Sequence, residues 1–148
     1  MDSRTGRKLR LMALDEADLA VLSAHAQDAV LHVGDMLFQP NVRRFVLALH
    51  RFDWLSEGAR QRVQSGLHFE HVRKVSLHGF RQDRPDDILN LLSIVFAPGE
   101  APSGEIVLTF SGDCGVRLEV ECVEARLADI GPRWPCPHAP EHGGETAG

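Results

Sequence analysis

The chain has 148 residues, 43% of them hydrophobic, and a formal net charge of −5. That length and apolar content suit one domain with a real core, and they exclude a disordered chain or two independent domains. The charge argues against constitutive binding to nucleic acid or to an anionic membrane, and the longest apolar stretches are far short of the roughly 20 residues a membrane helix needs.

The N-terminal Arg4, Arg7, Lys8 and Arg10 are followed by Asp15, Glu16 and Asp18 rather than by an apolar run, so no export signal is expected. Three cysteines without regular spacing point to a reducing, cytoplasmic setting rather than a disulfide scaffold. Leu9, Leu11 and Ala13 alternate with Lys8, Arg10 and Met12, which predicts a first strand. Asp15, with Asp18 three residues on, then caps a helix expected from about residue 16 to residue 26. Residues 27–32 return to an extended pattern. Gly34-Asp35 and Pro40-Asn41 are turn signals on either side of Met36 and Phe38.

Residues 43–52 are apolar on both faces and read as a central strand. Residues 53–65 read as a loop. Residues 67–77 carry Leu67, Phe69, Val72, Val75 and Leu77, whose spacing breaks strict alternation around Val72 and calls for a β-bulge or kink in one strand. Residues 88–97 form a second strand with two apolar faces. Residues 104–122 alternate on either side of Gly112-Asp113-Cys114-Gly115, the pattern of an antiparallel hairpin.

Beyond that hairpin, Val123, Leu127 and Ile130 at i, i+4 and i+7 predict a short C-terminal helix ended by Gly131-Pro132. The expected fold is α+β and mainly antiparallel: a seven- or eight-strand meander curled into a partial barrel, with one helix near each end. A pleckstrin-homology-like arrangement is one way to build it. The domain is expected to span residues 1–131. Residues 132–148, rich in proline and glycine, read as a flexible tail.

Three sets of residues carry a resemblance. They are Lys8-Leu9-Arg10-Leu11-Met12-Ala13-Leu14-Asp15 with Ser23-Ala24-His25-Ala26-Gln27-Asp28-Ala29-Val30, Arg51-Phe52-Asp53-Trp54, and the run from Ala101-Pro102-Ser103-Gly104 to Glu119-Val120-Glu121-Cys122. Together they resemble an uncharacterised family of short bacterial proteins that carries only a domain-of-unknown-function label. The resemblance covers most of the chain apart from the tail, and it implies no catalytic or binding residues.

No reactive constellation stands out. Cys136, His138 and His142 form one tight Cys/His group, but it lacks a fourth ligand and a rigid support, so no metal and no cofactor is expected. Cys114 sits in a turn without a helix N-terminus to activate its thiol. Glu119 and Glu121 share a strand face, where carboxylates ordinarily form a solvated ladder. His68 and His78 are read as surface residues of one strand. An enzyme is therefore the less favoured reading, although a pocket assembled from scattered residues would be compatible with the sequence.

The residue types that dominate binding hot spots meet in Arg51, Phe52, Asp53 and Trp54, at the exit of the central strand. A cytoplasmic, non-enzymatic binding or adaptor domain with a protein partner, using that surface, is the first expectation. The alternative is a weak nucleic-acid or ribosome-associated factor. Residues 41–84 hold nine basic side chains against four acidic ones, a net +5, while residues 85–148 hold three against eleven, a net −8.

Overall fold

A computed structural model describes residues 8–54 and 61–135. Among these residues, ten strands and one α-helix succeed one another along the chain: β1 (Arg10–Ala13), α1 (Glu16–Ala26), β2 (Val30–His32), a single helical turn (Val33–Asp35), β3 (Met36–Gln39), β4 (Arg44–Phe52), β5 (Gln61–Phe69), β6 (Val72–His78), β7 (Ile88–Pro98), β8 (Gly104–Phe110), β9 (Cys114–Val120) and β10 (Ala125–Pro135). The strands form one antiparallel sheet in the order β1-β10-β5-β4-β2-β7-β8-β9-β6, with β3 on β4 beside β2. It is not a closed barrel. The architecture is mainly antiparallel β and broadly α+β.

Local chemistry accounts for the elements whose pattern is plain in the sequence. Asp15 accepts the Asp18 amide at 2.8 Å and starts α1, and Leu19, Leu22 and Ala26 form its buried face. That face packs on β7, β1 and β4. The β8–β9 hairpin pairs Ile106 with Leu118 and Leu108 with Val116, and all four are buried. Asp113 and Gly112 take the positive φ values, 61° and 76°, that the tight turn needs.

The expected C-terminal helix is instead strand β10, and the pleckstrin-homology-like reading falls with it. Ala125, Leu127 and Asp129 point inward while Arg126 and Ile130 are exposed, which is strand alternation. Gly131-Pro132 does not end the element. It lies in a bulge between Asp129↔Ser65 and Arg133↔Val63, after which pairing resumes to Pro135↔Gln61. β10 thus runs to Pro135, four residues past residue 131. Residues 136–148, with Cys136, His138 and His142, lie outside the described residues.

Two further differences bring the total to ten strands. The expected loop over residues 53–65 holds the start of β5, whose Arg62, Val63 and Ser65 pair with both β4 and β10. The single strand over residues 67–77 is two, β5 and β6, joined at Glu70 and His71, the latter at φ 60°. The irregularity at Val72 is real: the β6–β9 register shifts between Val72 and Lys74, leaving Arg73 as the extra residue. His68 and His78 consequently belong to different strands.

Candidate functional site

Arg51, Phe52 and Asp53 lie inside the protein, at 2%, 5% and 6% exposure, and Trp54 is half-buried. Strand alternation would turn one of each neighbouring pair outward, yet all three side chains at the end of β4 are buried. Arg51 donates through Nε and Nη2 to the two oxygens of Asp129, both at 2.9 Å, a parallel fork that fixes both side chains. Asp53, two residues along the chain, stands farther off, 4.0 Å from Nη1.

Asp129 also accepts the Ser65 hydroxyl at 2.8 Å and the Leu9 amide at 2.8 Å. Burial raises the pKa of such a carboxyl, but the hydrogen bonds from Arg51, Leu9 and Ser65 outweigh it and hold Asp129 below the usual range. Strands β4, β5 and β10 and the residue that leads into β1 are thereby pinned at one point. His25, in the last turn of α1, feels the same cluster: burial and the Arg51 charge lower its pKa, against the opposing pull of Asp53 and Asp129. The Trp54 indole donates to the Gln27 carbonyl at 3.2 Å, and its ring meets Phe52 edge-on at 4.8 Å. These contacts lock the end of α1 to the end of β4.

Part of the basic middle segment is likewise tied to carboxylates. Arg43 pairs with Glu121 at 2.9 Å, Arg44 with Glu70 at 2.8 Å and Arg81 with Asp83 at 2.6 Å. Arg62 donates to the backbone carbonyls of Asp28 and His50. Cys114 is a free, half-buried thiol whose Sγ donates to the Gly79 carbonyl at 3.3 Å. Cys122 is half-buried rather than fully buried, and burial, with Glu124 and Glu121 beside it, raises its pKa. Among the described residues no group of three or more His, Cys, Asp or Glu side chains could hold a metal ion.

An opening does exist elsewhere. A cavity of about 250 Å³ lies between β3 and β6, lined by Val33, Met36, Phe38, Phe45, Val75, Leu77, Phe80 and Gln82. Met36 and Phe38 share a face of β3, and Phe38 stands opposite Phe45. Val75 and Leu77 share a face of β6. Val33 and Phe45 are buried, whereas Met36, Phe38, Val75, Leu77 and Phe80 are half-exposed.

The chain is brought to this place by a tight turn. Gly79 has φ 83°, and a Cβ there would stand 2.5 Å from the Asp113 carbonyl oxygen, so only glycine fits. Phe80 then folds back onto Phe110, edge-on at 6.3 Å. The lining is apolar apart from Gln82, which suits an apolar side chain or ligand. Sequence reading misses this site because its residues come from β3, β4, β6 and the turns beside them. The available signal is the alternation of Met36 with Phe38 and of Val75 with Leu77 on strands whose outer edges have no partner among the described residues.

A family model described as Protein of unknown function (DUF2948) matches residues 9–142. The chain belongs to the DUF2948 family. The match extends past the end of β10, to residue 142. No curated protein and no solved structure matches the DUF2948 chain.

Proposed function

We propose that this DUF2948 protein is a non-enzymatic binding or adaptor domain, and that its partner is a protein that contacts it at the cavity between β3 and β6. The observation that carries the reading is the half-exposed apolar lining of Met36, Phe38, Val75, Leu77 and Phe80. Apolar side chains left open beside unpaired strand edges serve binding, since folding alone would have closed them.

Arg51, Phe52 and Asp53 are buried, so the contact surface is the cavity rather than the Arg51–Trp54 segment. A cytoplasmic setting goes with it, supported by the free thiols of Cys114 and Cys122. Among the described residues no helix is long and apolar enough to cross a membrane.

The test is affinity purification of tagged wild-type, Leu77→Gln and Trp54→Ala proteins from the native cell, each first checked for an unchanged thermal midpoint. A stoichiometric protein partner should accompany the wild type and Trp54→Ala and be lost with Leu77→Gln. Loss with Trp54→Ala but not with Leu77→Gln would return the site to the end of β4.

A further inference from the structure

Resting on the cavity reading, we infer that the free edge of β6 accepts an extended acidic peptide from the partner as an added strand, its alternate apolar side chains entering the cavity. Among the described residues β6 pairs only with β9, so from Lys74 to His78 it presents an unpaired row of backbone donors and acceptors. Strand addition to such an edge draws affinity from the main chain and specificity from pockets that take every second side chain. Val75 and Leu77 supply that period, because both face the cavity while Lys74, Ser76 and His78 face out.

Charge selects the occupant. β6 carries Arg73, Lys74 and His78 and no carboxylate. Glu119 faces Lys74 in register, but it lies on β9, behind the free edge. His78 approaches Asp113 at 3.9 Å, also on the β9 side. In the loop after β6, Asp83 is tied to Arg81, and Asp87 lies at the far end, where its backbone carbonyl holds the Val33 amide at 2.9 Å.

A basic residue and a bulge on an edge are devices that block indiscriminate pairing. Here the bulge at Arg73 is confined to the start of β6 and leaves Lys74 to His78 regular. Arg73 and Lys74 then repel basic strands and admit acidic ones. They also disfavour a second copy, since β6 against β6 would bring like charges together with no carboxylate to meet them.

The edge of β3 is a poorer host. It is four residues long, and Asp35 precedes it.

The probe is a mixture of peptides of about eight residues, long enough to cover one typical strand, in which Val, Leu, Ile or Phe alternates with Glu. A second mixture substitutes Lys for Glu, and a third carries N-methyl groups on alternate amides. Backbone hydrogen exchange of the full chain is monitored over Lys74–His78, with an apolar fluorescent dye as a separate probe of the cavity.

The Glu mixture should slow exchange within Lys74–His78 and displace the dye, and the Lys and N-methyl mixtures should do neither. The doubly substituted Arg73→Glu, Lys74→Glu protein should lose the effect of the Glu mixture while still binding the dye. Dye binding that Leu77→Gln abolishes, with no peptide-dependent protection, would overturn strand addition and leave the cavity reading standing. No dye binding and no protection would overturn both. Protection of β6 that rises with protein concentration alone would assign the edge to a second copy and overturn the peptide proposal.

Discussion

Arg51 on β4 and Asp129 on β10 face each other through two hydrogen bonds of 2.9 Å, both side chains almost fully buried. Taking two charges out of water costs more than the pair alone returns, so its stability depends on the complete set of partners. Removing one member leaves the other as an uncompensated buried charge. Asp129→Ala should therefore cost about 3 to 5 kcal/mol, while the double replacement Arg51→Met, Asp129→Leu should recover much of it. Urea unfolding of the three proteins measures this. A single variant that loses less than about 1 kcal/mol, the scale of an exposed pair, would mean that the pair is solvated.

Protonation should weaken the fold in two separate windows. Burial, then the Arg51 charge, lowers His25 from its ordinary 6.5, and burial together with His32 and Arg62 lowers His50, against the pull of Asp35. A lowered pKa means that the unfolded chain binds the proton more readily. The stability these two histidines confer is thus complete above pH 6.5 and is lost as pH falls from there through their folded values. Asp129, lowered from 3.8, acts in the same direction but only below that value. Unfolding free energy should fall between neutral pH and pH about 5, and the paired change His25→Gln, His50→Gln should flatten that slope.

Two truncations distinguish β10 from the residues beyond it. Ending the chain after Gly131 removes the partners of Val63, Arg62 and Gln61 and should lower the thermal midpoint. Ending it after Pro135 keeps the whole described sheet and should leave the midpoint within a degree or two of the intact chain. Differential scanning calorimetry on both truncations compares them. Equal midpoints would mean that the pairing after the bulge adds nothing to stability.

The Arg51–Asp129 network also explains where sequence reading stops. The start of strand β5 looks like a loop because, besides its lack of a sustained period, Ser65 occupies an inward position that a core strand would give to an apolar residue. Strand β10 looks helical because Asp129 breaks the inward alternation after Ala125 and Leu127, leaving Val123, Leu127 and Ile130 as the visible period. Both polar positions are inward because they satisfy one another and Arg51, a long-range fact that no local pattern records. By contrast, β8, β9 and α1 are legible because their turn and cap residues lie next to their apolar faces. The cavity is not legible, since Phe38 and Leu77 meet only after β3 and β6 are placed on different neighbours.

Leu118, fully buried on β9 opposite Ile106 and Val75, tests the core of the hairpin. Leu118→Ala should cost about 2 to 5 kcal/mol, the range for a large-to-small change in a packed interior. Chemical denaturation that shows a loss below about 1 kcal/mol, less than one buried CH₂ and its cavity would contribute, would place that face outside the core.

The basic segment over residues 41–84 bears on the nucleic-acid alternative. Polyanion binding needs several cations free to neutralise phosphates together, and each such contact releases counterions and steepens the salt dependence. Arg43, Arg44 and Arg81 already hold Glu121, Glu70 and Asp83, so binding through these three would have to break ion pairs before it made new ones, and Arg73 and Lys74 alone are too few for a steep polyanion contact. A short single-stranded RNA should show no saturable fluorescence change with this protein at about 50 mM salt. Micromolar binding there that vanishes by about 200 mM would mean that the ion pairs open to admit phosphate, and would install the nucleic-acid reading. The variant Glu70→Gln, Glu121→Gln sharpens the comparison: it frees Arg44 and Arg43, so RNA binding confined to that variant would show that the paired carboxylates keep the intact surface off polyanions.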